Sequence, residues 1–356
     1  MTYRILILGA SYGSLLGTKL LMAGHDVSLV CRAPTAALIN DEGTEVRIRL
    51  RDEDEHRRIR SADLPGKLNA LTPEEVDPDA FDMVGLAMQE PQYGVQNIRE
   101  LVGRIAAARK PCLSIMNMPP LAYLRRLPDL QVGPLAASFS NPGIWDDFEP
   151  DLVTLCSPDP QAYRPPDEAP NVLHVGLPTN FRAAKFGDAA ANTILSELEA
   201  DIEAVRLDGK DVPVKIRVFD SLFVPLAKWS MLLTGNYRCV TRDGVRPIRD
   251  AVYEDPEVSR KMYDLVDDIA RKLGAAPEDQ VPFEKYAKAA EQLLNPSSVA
   301  RAVAAGAVEI ERVDKLVQLI GRDLGISSPE IDEMVSVIDA RLAENNSSSA
   351  ARAAAG

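Results

Sequence analysis

The chain has 356 residues, with 40 Lys plus Arg against 53 Asp plus Glu, a formal charge of −13 at neutral pH. That acidic balance excludes nucleic acid or an anionic membrane as the principal partner, because both bind through basic surfaces. Hydrophobic residues at 46% and charged residues at 26% fit a globular protein long enough for two domains. Four scattered cysteines without a Cys-x-x-Cys spacing point to neither a disulfide framework nor a zinc site. The N-terminus runs directly into a strand, with no signal peptide and no apolar run of membrane-spanning length, so a cytoplasmic protein is expected.

In chain order, Tyr3-Arg4-Ile5-Leu6-Ile7-Leu8 reads as a buried parallel strand ending at Gly9. A helix from Gly13 to Ala23 follows, closed by Gly24, and Asp26–Cys31 gives a second strand. Strand, glycine turn, helix and strand within thirty residues make a βαβ unit. Val46–Arg51 alternates strictly and puts three arginines on one face, and Arg57–Arg60 returns beside it after an acidic turn; a solvated edge hairpin explains this better than a basic ligand patch. Asp82–Ala87 and Pro111–Met116 continue the sheet, separated by a helix over Tyr93–Ala108. The proline-rich stretch from Pro134 to Gly176 holds irregular strands, one of them Val172–Val175.

Beyond residue 180 helical periodicity dominates: Asn192–Ala204, Ser221–Leu233, Ser259–Gly274 and Glu284–Leu294. Asn295 caps a helix with Pro296 at its first position, ended by Gly306; another runs from Ala307 to Leu324, and Ser328-Pro329-Glu330 opens the last. The expected architecture is a Rossmann-type α/β domain over residues 1–185, an all-α domain over 186–344 and a flexible tail over 345–356. Amphipathic helices in the second domain make a homodimer the expected assembly.

Gly9-Ala10-Ser11-Tyr12-Gly13-Ser14 lies where a dinucleotide phosphate turn belongs, so Gly9, Ser11, Tyr12, Gly13 and Ser14 are candidate cofactor contacts. Read as G-x-G-x-x-G, only the first glycine is in register. The second strand ends in Arg32 where NAD-binding versions carry a carboxylate; a guanidinium pairs with a 2′-phosphate and so argues for NADP(H). His25, His56 and His174 are the only histidines and stand at no metal-ligand spacing, so no metal is expected.

The segments Ile5–Ala10 and Gly24–Arg32 resemble the opening of the ketopantoate reductase (2-dehydropantoate 2-reductase) family. Asn117, after a sheet strand, stands where the family has the asparagine of its Asn-Gly motif. Lys228 and Asn236 are similar to the first and last residues of the family's K-x-x-x-N-x-x-x-N helix, and Ser297-Ser298 and Glu309 resemble its later serine and glutamate. The order is kept along nearly the whole chain. Departures are Leu232 for the middle asparagine of that helix, Gln89 for a strand-end lysine and Met118 for the motif glycine.

The resemblance implies a Rossmann domain for NADPH, a helical domain of the 6-phosphogluconate dehydrogenase C-terminal type, and reduction of a 2-oxo acid or related ketone to the hydroxy compound. It also implies that Lys228 protonates the carbonyl oxygen, Glu309 holds the emerging hydroxyl, and Asn236, Ser298 and Asn117 bind substrate, with Gln89 and Asn117 also near the cofactor. The residue chemistry agrees. Hydride delivery to a ketone needs a proton donor at oxygen, and Lys228 and Asn236 lie within roughly 80° of each other on a regular helix. Ser297 and Ser298 suit a helix start equally well, and Glu311 competes with Glu309. Two other readings stay open: an NADP-dependent dehydrogenase oxidising a hydroxy substrate in a catabolic pathway, and a dinucleotide-binding protein without turnover.

Overall fold

Ile5 to Leu8 are buried without interruption because their strand lies in the middle of a parallel sheet, where alternate side chains meet covering layers on opposite faces. The computed structural model describes residues 1–355. They divide into two compact units, one of residues 1–88, 92–126 and 143–225, the other of residues 89–91, 127–142 and the chain from Leu226 onward.

The strands of the first unit are β1 (Arg4–Leu8), β2 (Asp26–Val30), β3 (Glu45–Arg49), β4 (His56–Arg60), β5 (Leu68–Leu71), β6 (Met83–Leu86), β7 (Cys112–Ile115) and β8 (Val153–Ser157). They continue with β9 (Gln161–Tyr163), β10 (Val172–Leu177), β11 (Phe181–Ala184), a small hairpin of β12 (Arg206–Leu207) and β13 (Lys210–Asp211), and β14 (Ile216–Phe219). The main sheet is ordered β14-β11-β8-β7-β6-β1-β2-β5. From β5 to β8 every pairing is parallel. Counted along the chain, these six strands follow the 3-2-1-4-5-6 order of a doubly wound dinucleotide-binding sheet.

This unit extends past the expected boundary at residue 185. β11 runs antiparallel to β8, and helix Ala189–Ala204 then crosses over to β14, which pairs with β11 in parallel. A helix whose periodicity suggested the second domain is therefore a βαβ crossover, started by the Asp188 side chain accepting from Ala191 N–H at 2.8 Å.

The arginine hairpin forms, with Val46 opposite Ile59. It belongs to a four-stranded sheet ordered β4-β3-β10-β9, so β3 is interior rather than an edge. Three of its arginines meet carboxylates: Arg47 pairs with Glu45 and Glu168, Arg57 with Glu53, and Arg60 with Glu45.

Lys19, on helix Tyr12–Met22, is 2% exposed and donates to the carbonyls of Val212 and Pro213. Burial, with Lys215 nearby, lowers its pKa to about 7. The native state thus binds fewer protons than the unfolded chain between pH 7 and about 10.4, and folding stability must rise with pH across that window. Relative to Lys19→Met, the wild type should gain a few kcal/mol between pH 7 and 10 in urea titrations; parallel pH profiles would show that Lys19 stays charged when folded.

The second unit is helical. One winding passes from a 3-10 turn (Val224–Ala227) through an α turn (Lys228–Met231) and a π turn (Leu232–Asn236) to a second 3-10 turn (Tyr237–Cys239). Helices follow at Ile248–Tyr253, Pro256–Lys272, Phe283–Ala290, Ser298–Ala304, Val313–Asp323 and Pro329–Ala355. Met262, Val266 and Ile269 on Pro256–Lys272 show the buried stripe expected at helical spacing.

Three details depart from the sequence reading. The cap near residue 295 is Ser297, whose hydroxyl accepts from Ala300 N–H at 3.1 Å, so Pro296 precedes the helix. The helix expected from Ala307 begins only at Val313. The stretch from Asn345, expected to be a flexible tail, continues the last helix to Ala355. Asn345 anchors it: its side-chain amide donates to the carbonyls of Val303 and Ala307, each at 2.9 Å, which ties the last helix to the turn after helix Ser298–Ala304. Among the described residues no helix is long and apolar enough to cross a membrane.

Candidate functional site

In the first unit the candidate residues converge at the C-terminal ends of β1, β2 and β6, where the strand order reverses. Gly9 has φ +102°, and a Cβ there would stand 2.6 Å from the Ala87 carbonyl oxygen just past β6. Only glycine lets the chain leave β1 so close to β6. Helix Tyr12–Met22 follows. Its N-cap Ser11 makes no side-chain capping bond, and no acidic residue occupies its first turn, which leaves the positive helix end toward an anion. Gly13 would place a Cβ 2.7 Å from Ile7 Cγ2, and Gly17 one 3.3 Å from Val27 Cγ1. These two glycines do the helix-on-sheet packing that the fingerprint assigns to its last glycine, which explains why the irregular spacing is tolerated. Ser14 is buried, its hydroxyl bonded to the Ala10 carbonyl, so it braces the turn. Arg32 is exposed just past β2. The turn therefore has a shape and polarity that could take a pyrophosphate, and Gly9, Ser11, Tyr12 and Gly13 are the residues that could hold it, with Arg32 two residues past β2.

Asn117 is half-buried in the bend after β7, at the ligand-bearing end of the sheet. Met118, in the place of the family's glycine, is fully buried and leads into Pro119 and Pro120. Gln89 is exposed and falls with Glu90 in the second unit.

In the second unit Lys228 opens the α turn and Asn236 ends the π turn, both half-buried. The wider π turn buries Leu232, Leu233, Thr234 and Gly235 together. It also winds more slowly than an α-helix, which brings Lys228 and Asn236 nearer in azimuth than regular spacing does. Leu232, in the place of an asparagine, is 2% exposed and belongs to the core. The Asn236 carbonyl accepts from Ser297 Oγ at 2.6 Å, which ties the start of helix Ser298–Ala304 to the lysine winding. Ser297 is thereby occupied twice, whereas Ser298 is exposed.

Glu309 does not open a helix. It is exposed in the irregular segment before Val313. Glu311 is buried and its carboxylate faces the Glu90 N–H at 3.4 Å. Glu90 itself is buried, its carboxylate accepting from Ser140 N–H and Asn141 N–H, and burial raises its pKa with Glu309 adding to the effect. The irregular segment is held by Tyr237, whose hydroxyl donates to the Glu311 carbonyl at 2.6 Å and accepts from Val313 N–H at 3.0 Å. Sequence reasoning missed Tyr237 and Glu90; adjacency to Asn236 was the one available pointer to the tyrosine. Tyr237→Phe should cost about 1–3 kcal/mol by leaving both backbone groups unpaired; an unchanged urea midpoint would show that water replaces the hydroxyl.

No protein-family model matches the chain, and no curated protein sequence matches it. Solved structures do. A 2-dehydropantoate 2-reductase from Methylococcus capsulatus is 15% identical, with 96% of this chain and 97% of that chain covered and a TM-score of 0.64. The fold is that of the ketopantoate reductases. A dimeric ketopantoate reductase from Staphylococcus aureus is 11% identical over 96% of this chain and 99% of that one, with a TM-score of 0.60. D-mandelate dehydrogenase with NADH and anilino(oxo)acetate is similar as well, at 15% identity, 96% and 99% coverage and a TM-score of 0.64. The ketopantoate reductase fold thus spans both chains at full length while few side chains are shared.

Proposed function

We propose that this chain is a divergent member of the ketopantoate reductase family, an NADPH-dependent reductase of a 2-oxo acid or related ketone. The observation that carries the reading is the 3-2-1-4-5-6 sheet order with Gly9, at φ +102°, set against Ala87 where that order reverses. Gly9, Ser11, Tyr12 and Gly13 would hold the pyrophosphate, Arg32 the 2′-phosphate, and Gln89 and Asn117 the neighbouring part of the dinucleotide. When bound, the dinucleotide supplies a hydride. Lys228 gives its ammonium proton to the carbonyl oxygen as that oxygen gains charge, so the ketone becomes an alcohol. Asn236 and Ser298 bind polar groups of the substrate, and Glu309, which carries no counter-ion among the described residues, accepts from the new hydroxyl.

A test is NADPH consumption, followed by absorbance, across a panel of 2-oxo acids that includes ketopantoate and aryl-glyoxylates. Turnover of at least one is expected; uniform inactivity together with tight NADPH binding would favour a dinucleotide-binding protein without turnover. The similarity to D-mandelate dehydrogenase supports a second reading, oxidation of a 2-hydroxy acid with NADP+, through the same groups in reverse. Assays with NADP+ and 2-hydroxy acids separate the two by relative kcat/KM.

A further inference from the structure

Arg164 follows the edge strand β9 of the four-stranded sheet, in the proline-rich stretch of irregular strands. Its guanidinium donates from Nη2 to the Ala10 carbonyl at 2.9 Å, inside the phosphate turn. Ala10 lies two residues past Leu8, and Arg32 two residues past Val30, and Leu8 and Val30 are register partners on adjacent parallel strands. Such strands are about 4.8 Å apart, so one guanidinium is pinned above the end of β1 and another leaves the chain at the end of β2. Both act on the thiol of Cys31, and they repel each other.

Two features say that this pair awaits an anion. Arg164 is half-buried, and burial, with Arg32 adding to it, lowers its pKa, yet no carboxylate pairs with either arginine among the described residues. In a chain with 53 acidic and 40 basic residues, where Arg47, Arg57 and Arg60 of the nearby hairpin each find a carboxylate, two neighbouring guanidiniums at the end of the sheet have no counter-charge among the described residues. Second, Arg164 precedes Pro165 and Pro166, which open a turn closed by Glu168 N–H on the Pro165 carbonyl and remove two N–H donors, so the side chain is presented from a stiff segment.

We infer that Arg164 is a specificity-determining residue that closes a two-arginine site with Arg32 around the 2′-phosphate of the adenosine ribose. In doubly wound sheets the ribose hydroxyls lie at the end of the second strand, where Arg32 stands, whereas the pyrophosphate lies over the helix start. Arg164 reaches the border between them, and its remaining N–H groups give a planar fork suited to a phosphate. The inference rests on the dinucleotide reading above and adds to it a residue supplied by the second sheet.

The test is equilibrium binding by calorimetry or protein fluorescence, with NADPH, NADH, adenosine 2′,5′-bisphosphate and AMP as probes, on wild type, Arg164→Met and Arg164→Lys. The wild type is expected to prefer each 2′-phosphorylated probe. Arg164→Met should weaken NADPH and the bisphosphate about 10- to 100-fold while NADH and AMP change less than about twofold. Arg164→Lys, which keeps the charge and a donor for the Ala10 carbonyl, should lose less NADPH affinity than the methionine variant and keep NADH affinity; it carries the test if the methionine variant does not fold. Equal losses for NADPH and NADH in either variant would overturn the inference, making Arg164 a brace of the turn. Unchanged NADPH affinity in both variants would overturn it too, while leaving the dinucleotide reading intact. A wild type that binds neither NADPH nor NADH would overturn the dinucleotide reading and the inference with it.

Discussion

Lys228→Ala should lower kcat for 2-oxo acid reduction by about 10²- to 10⁴-fold while leaving the Kd for NADPH within about twofold. The size follows from what is removed. A ketone oxygen that receives a hydride develops charge, and a positioned ammonium both stabilises that charge and supplies the proton; each tenfold step corresponds to about 1.4 kcal/mol of barrier. Lys228 is half-buried at the head of a winding whose next turn is π, a geometry sustained by burying Leu232 to Gly235 together. Lys228→Met, which keeps the apolar stem, should be as inactive as the alanine variant, whereas a packing role alone would let methionine restore activity. Equal kcat in wild type and both variants would remove the lysine from the chemistry and with it the reductase mechanism proposed for this chain.

Gly9→Ala should cost about 2–4 kcal/mol of folding stability and at least tenfold in NADPH affinity. At φ +102° an L-residue is strained whatever space it has, and here the new methyl would also stand 2.6 Å from the Ala87 carbonyl oxygen and 2.8 Å from Met88 Cγ. The backbone carbonyl cannot move without disturbing the end of β6. Gly103 gives the opposite expectation. It lies exposed in helix Gln96–Ala107 with nothing within 4 Å of a Cβ, so Gly103→Ala should stabilise by about 0.5–1 kcal/mol. The pair is read by thermal and urea unfolding beside NADPH titration. Gly9→Ala with wild-type stability and affinity would mean that the turn relaxes and that no close approach is required there.

The strands and helices were largely legible in the sequence because their signals are local. An apolar run before Gly9 declares a buried strand, the alternation over β3 a half-exposed one, and the spacing of Met262, Val266 and Ile269 a helix with one covered face. The order of Lys228, Asn236, Ser298 and Glu309 along the chain, and Arg32 in place of a carboxylate, were likewise readable, since they depend on residue identity alone.

Long-range pairing decided the rest. Whether helix Ala189–Ala204 belonged with the sheet depended on β11 finding β14, a partner more than thirty residues away that no local pattern names. Asn345 became an anchor because the fold brings its amide against two carbonyls some forty residues upstream, and nothing in a Ser/Ala-rich tail reveals them. Glu309 and Glu311 are two residues apart in sequence and equivalent in type, yet Tyr237 holds the segment so that one is buried and the other exposed. Arg164 is the sharpest instance: an arginine before two prolines reaches the Ala10 carbonyl in the glycine turn after β1 only because a second sheet ends beside it. The sequence by itself determined which groups this protein carries and which short segments coil or extend, because propensity and periodicity act within a few residues. The tertiary structure alone decided which of those groups share a neighbourhood, because backbone pairing and burial bring together residues that no sequence spacing relates.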